Sequence, residues 1–181
     1  MRNVLLLPKW MTALKWYSDT GDDFHTCSGK LDSRAFSADH VVGLSLGALI
    51  ALRDIQNIKG KIILINPPVP KRSIARWFVQ WVKFVTNEGL FLEINKFTIN
   101  PMRYILGLVD CITLLTIDFS NILDSVSKDK VIVIRGKQDT FFCDASAVSF
   151  LRQKNIEIIE TEGGHNWSKG IEEILDNLLR K

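Results

Sequence analysis

The chain has 181 residues, 46% of them hydrophobic and 24% charged, with a formal net charge of +3. That length and balance suit one globular domain with a sizeable core and exclude a low-complexity or disordered chain. No Lys/Arg cluster reaches the density of a nucleic-acid patch, and Cys27, Cys111 and Cys143 are too widely spaced for a disulfide framework or a metal-binding set.

In chain order, Val4–Leu7 is a continuous apolar run, as expected of a strand buried on both faces. It is too short for a signal-peptide core and lacks a small-residue cleavage site. Pro8-Lys9-Trp10 ends it, Met11–Tyr17 suits a short helix, and Phe24–Cys27 reads as a weak second strand. Lys30–Ala38 suits one or two helical turns. His40–Leu44 then leads into Gly43-Leu44-Ser45-Leu46-Gly47, with Ala/Leu-rich helical sequence to Ile55. A strand that turns sharply into a helix at Gly-x-Ser-x-Gly is the layout of a nucleophile elbow. The turn strains the serine backbone and puts Ser45 at a helix N-terminus, where free N–H groups favour developing negative charge.

Gly60 precedes a further buried strand, Lys61–Ile65, which stops at Asn66-Pro67-Pro68. The alternation of strand and helix then lapses until about Lys128. Within that interval Ile74, Trp77, Phe78, Trp81, Val82 and Val85 form an apolar stripe at helical spacing, and more helix is expected from Met102 to Ile117. The apolar stretch Tyr104–Ile117 is interrupted by Asp110 and is too short and too charged to span a bilayer. The alternation resumes with strand Val131–Ile134, helix Ala145–Gln153, strand Ile156–Glu160 and helix Lys169–Leu179. This order predicts an α/β protein with a parallel sheet and helices on both faces, its chemistry gathered at the C-terminal strand ends.

Three residues stand at such ends: Ser45, Asp139 in Gly136-Lys137-Gln138-Asp139, and His165 in Gly163-Gly164-His165. A serine hydroxyl needs a base to accept its proton, an imidazole can take and return that proton near neutral pH, and a carboxylate fixes the ring's tautomer. Any one of them alone has an ordinary structural explanation, in a turn or at a helix cap. Together, in the order Ser, Asp, His, they point to a catalytic triad.

Gly-Leu-Ser-Leu-Gly-Ala, the Gly-x-x-Asp turn and Gly-Gly-His resemble the α/β-hydrolase superfamily, and Asp118–Leu123 leading into Val131–Asp139 resembles its small esterases, among them carboxylesterases similar to the pimeloyl-carrier-protein methyl ester esterase. The resemblance implies a three-layer α/β/α fold in which residues 67–128 form a helical cap on a core of residues 1–66 and 129–181. The family has two antiparallel strands before its first parallel one; here the sheet is expected to be reduced, with about six strands. It also implies an oxyanion hole from the backbone N–H groups of Leu46 and Trp10, although Lys9 stands where the family has glycine. No cofactor or metal is implied.

The expected activity is hydrolysis of a small-molecule carboxylic ester, with an apolar or medium-chain acyl group packed by Trp77 and Trp81. A thioesterase or other acyl hydrolase, and a binding module with little turnover, are the alternatives. Lys71, Arg72, Arg76 and Lys83 are expected on the outer face of the insertion, where an acyl carrier protein is one conceivable partner. His25, His40 and Cys143 read as local packing or loop residues, and the expected location is cytoplasmic, without a membrane span.

Overall fold

Five of the apolar runs become strands of one sheet in the computed structural model, which describes residues 3–7, 31, 33–88, 109 and 111–180. The strands are β1 (Val4–Leu7), β2 (His40–Leu44), β3 (Lys61–Ile65), β4 (Val131–Gly136) and β5 (Glu157–Thr161). They lie side by side in chain order and every pairing is parallel. Parallel neighbours require a crossover after each strand. Between them run α1 (Leu46–Arg53), α2 (Ile74–Glu88), α3 (Ser120–Ser125) and α4 (Ala145–Gln153), with α5 (Lys169–Arg180) closing the chain. Residues 111–116 are helical as well.

Successive side chains of a strand point to opposite faces, and the core divides accordingly. Leu5, Leu7, Val41, Ile62, Leu64 and Val133 pack with Leu49 and Leu52 of α1 and Leu151 of α4. Leu6, Val42, Leu44, Ile63, Ile65 and Ile134 pack with Ile171 and Leu175 of α5 on the other face. The result is a three-layer α/β/α arrangement, in which each fully buried Leu or Ile contributes about 2 kcal/mol. α1 has no polar stripe: Leu46 to Leu52 are all buried, and only Arg53 at its end is not.

Some boundaries differ from expectation for visible reasons. The fourth strand continues past Ile134 because Arg135 and Gly136 still pair with Glu160 and Thr161. α1 stops at Arg53 rather than Ile55, and the chain turns there with Asn57 N–H bonded to the Asp54 carbonyl at 2.9 Å. The sixth strand expected at Phe24–Cys27 and the helix at Met11–Tyr17 lie outside the described residues. Between β3 and β4 the described residues contain helices and no strand. Leu114, Phe119, Leu123 and Val126 at the end of that interval join the core under α1, whereas α2 buries only Phe84 and Val85. Among the described residues no helix is long and apolar enough to cross a membrane.

Candidate active site

The elbow is built by backbone geometry. Ser45 lies between the last residue of β2 and the first of α1 with φ 54° and ψ −110°, in a region that costs an L-residue of order 1–3 kcal/mol. Two main-chain bonds hold it there: its N–H donates to the Ile65 carbonyl at 2.8 Å, and its carbonyl accepts from Ala48 N–H at 3.0 Å. The turn is tight enough that a Cβ on Gly43 would lie 2.7 Å from the Ala48 backbone. Glycine is required there because strand and helix touch.

Asp139 follows β4 and has no exposed surface. Its Oδ1 accepts the N–H groups of Phe141 and Phe142, each at 3.0 Å, and its Oδ2 accepts Cys143 N–H at 3.0 Å. The same Oδ2 lies 2.6 Å from His165 Nδ1. Burial alone would push the carboxyl up, but His165 and the N–H groups of Phe142 and Cys143 outweigh it and hold Asp139 below the usual carboxylate range. An ionised carboxylate only accepts, so Nδ1 carries the imidazole proton and Nε2 is left as the acceptor. Nε2 lies 2.8 Å from Ser45 Oγ. The three side chains singled out in the sequence, up to 120 residues apart, therefore form one continuous hydrogen-bonded run.

His165 is 1% exposed and is walled by two aromatic rings. Phe142 stands 4.5 Å from it between ring centroids, and Phe84 of α2 meets it edge-on at 5.3 Å. Trp77 packs on Phe142 at 4.8 Å. Trp77 and Trp81 also border an apolar groove of about 330 Å³ with Ile74, Phe78, Cys111, Ile112 and Leu115, and none of the three polar residues lines it. Leu46 is the first residue of α1, so its N–H has no partner within the helix. Trp10, the other expected donor, and His25 lie outside the described residues.

Arg72 departs from expectation. It is buried at 7% exposure, while Lys71, Arg76 and Lys83 are exposed. Its guanidinium donates to the carbonyls of Phe141 and Phe142 at 2.9 Å each and to Asp144 at 2.8 Å. Asp144 caps α4 through Ser146 and Ala147 N–H, so Arg72 ties the loop carrying Asp139 to the helix after it. These partners lie about seventy positions away in the sequence, and no local signal marks them. Asn66 was equally hidden: the sequence shows it only as the residue that stops a strand. His40 opens β2 at the end opposite Ser45, and Cys143 is fully buried with its thiol pushed up by burial and by Asp139. Among the described residues no cluster of His, Cys, Asp and Glu is placed to hold a metal ion.

No family model matches this chain, and no curated protein sequence does. Solved structures do match. A carboxylesterase of Nitrososphaera gargenis superposes with a TM-score of 0.61 at 14% identity over 99% of this chain and 90% of that one. A bromoperoxidase of Bacillus anthracis gives 0.62 at 14% identity, covering 100% and 93%. An α/β-hydrolase enzyme from a Medee basin deep-sea metagenome gives 0.58 at 15%, covering 98% and 88%. The chain has the α/β-hydrolase fold, with a sheet of five parallel strands among the described residues.

Proposed function

We propose that this protein is a serine hydrolase that cleaves carboxylic esters through an acyl-enzyme on Ser45. The observation that carries the reading is the continuous run Ser45 Oγ, His165 Nε2, His165 Nδ1 and Asp139 Oδ2, with contacts of 2.8 and 2.6 Å, set on a strained elbow. Its likeness in fold to a carboxylesterase supports it.

In this reading Ser45 Oγ attacks the ester carbonyl carbon while its proton passes to His165 Nε2. The negative charge moves to the carbonyl oxygen beside the N-terminus of α1, where Leu46 N–H donates; one such donor contributes about 3 kcal/mol in the transition state. Collapse breaks the C–O bond, and the alkoxide leaves with the proton from His165. Water then repeats the sequence and releases the acid. Asp139 stays ionised throughout, holding the ring and stabilising the imidazolium. Residues 67–128 act as a cap on the remainder, with α2 above the histidine and an apolar acyl chain lying along the Trp77 and Trp81 side. Trp10 supplies the second oxyanion donor. The substrate is a small-molecule ester, and no cofactor or metal takes part.

The test is covalent labelling with a fluorophosphonate, read by intact mass. One adduct is expected on the native protein and none on Ser45→Ala, with hydrolysis of p-nitrophenyl esters lost in parallel and the circular dichroism spectrum retained. A label that persists in Ser45→Ala overturns the assignment.

A further inference from the structure

Asn66 is the first residue after β3, the strand between the one that delivers Ser45 and the one that delivers Asp139. It is fully buried and sits at φ 46°. Its backbone N–H donates to the Ile134 carbonyl at 3.0 Å, and the residue before it accepts Ser45 N–H. Its carboxamide works in two directions. Oδ1 accepts Gly136 N–H at 2.8 Å, at the end of β4. Nδ2 donates to the carbonyls of Gly164 at 3.2 Å and His165 at 3.0 Å. One planar group therefore joins the acid strand to the main chain of the histidine itself.

The site around it has no slack. A Cβ on Gly136 would lie 2.2 Å from the Gly164 carbonyl oxygen, so the end of β4 and the histidine loop are in direct backbone contact. Gln138 N–H also donates to the Gly163 carbonyl at 2.9 Å. His165 connects Ser45 to Asp139, and a shift of its main chain moves the ring off the position where both side-chain contacts are made. The carboxamide's chemistry is specific: the place calls for one acceptor and two donors at this reach, which asparagine has and aspartate lacks. A left-handed φ, by contrast, asks only for Asn, Asp or Gly.

We infer that Asn66 is a positioning residue, which holds the His165 main chain at the distance from β4 that lets the imidazole bridge Ser45 and Asp139. The inference rests on the serine-hydrolase reading of the site. Two substitutions separate the carboxamide's donors from the backbone turn. Asn66→Gly adopts the same φ freely but deletes the carboxamide, and Asn66→Asp keeps the shape but sets an acceptor against two carbonyls. Both should slow phosphonate labelling of Ser45 by ~10- to 100-fold, the scale of a small misplacement, with kcat of an ester falling more than KM changes. The 2.6 Å His165–Asp139 bond of the wild type should give a far-downfield proton resonance, and both variants should lose it. If either variant labels within about twofold of wild type and keeps that resonance, the side chain only fills a turn and the inference is overturned.

If the wild type takes no label, the hydrolase reading fails, while retention or loss of the downfield proton in the variants still decides the role of Asn66. Should neither variant fold, the wild type decides through its Asn66 amide protons. Exchange as slow as that of β3 and β4 supports the clamp, and exchange at solvent rate overturns it.

Discussion

On the strand side of the site, every side-chain polar atom of Asp139 and Asn66 has a partner inside the protein, and Gly136, Cys143 and His165 among those partners are buried as well. On the helix side, α2 presents Phe78 at 62% exposure and Ile74 at 54%, and the buried Trp77 Nε1 has no hydrogen-bond partner among the described residues. The first region is specified by directional bonds of 2.6–3.2 Å that admit one arrangement. The second is held by ring contacts of 4.8–6.2 Å, which tolerate sliding and repacking. Directional bonds suit a proton relay, where misplacement is costly; apolar contact suits an acyl chain, whose binding follows buried area. The comparison predicts that substitutions on the strand side act on rate, and those on the helix side act on substrate preference.

The largest effect should come from Asp139→Asn. With Oδ1 kept on Phe141 and Phe142 N–H, the new amide group faces His165 Nδ1 and forces it to accept. The proton then sits on Nε2, pointing at Ser45, and the base is lost. A fall of ~10⁴-fold in kcat is expected, with KM little changed. Single-turnover acylation measures it; a fall of less than about tenfold would mean the two regions do not divide the work in this way.

Arg72→Met should come next, and mainly in stability. It leaves Asp144 with only the exposed Arg76, at 3.8 Å, and takes the guanidinium donor from the carbonyls of Phe141 and Phe142. Losing this part-buried pair together with the bonds to the two carbonyls costs about 2 kcal/mol, measurable as a lower urea midpoint at unchanged slope. The variant's kcat per folded molecule should fall far less than that of Asp139→Asn.

How much of this was legible in the sequence follows the same division. The strands are unbroken apolar runs, and Ser45, Asp139 and His165 each follow a strand in a local pattern of glycines, so the fold and the meeting of these three side chains could be read off. Asn66 and Arg72 could not, because their roles lie in bonds to residues 69–99 positions away and leave no periodicity behind. Composition sets Arg72 beside Lys71, Arg76 and Lys83, and burial sets it apart: a guanidinium can be buried where several carbonyls converge. Phe84 stands outside the apolar stripe that the sequence shows between Ile74 and Val85, and only the packing shows that it meets His165.

A smaller effect concerns pH. The carboxyl of Asp139 is held below the usual range in the folded protein, so it binds its proton less readily there than in the unfolded chain. Its contribution to stability is complete above the ordinary carboxylate value of ~3.9 and is lost as pH falls through the depressed folded value. The stability difference between wild type and Asp139→Asn should therefore be flat near neutrality and shrink in acid. Urea midpoints along a pH series test this, and a difference that grows as pH falls contradicts the sign.

The smallest effects should lie on the helix side, and there the three aromatic residues of the groove separate. Trp77 packs on Phe142, which packs on His165, so Trp77→Ala disturbs the relay as well as the groove. Phe78 is exposed and stacks with Trp81 at 6.2 Å, while the ring pairs of His165 among the described residues are with Phe84 and Phe142. In a p-nitrophenyl ester series from two to twelve carbons, each added methylene buried by the wild type should raise kcat/KM by about fourfold, equivalent to 0.8 kcal/mol, until the pocket is full. Phe78→Ala and Trp81→Ala should flatten that slope and leave the two-carbon ester unchanged, whereas Trp77→Ala should lower every member of the series. If all three variants lower the whole series by one factor, the groove does not hold the acyl chain, and α2 acts on the reaction through His165 alone.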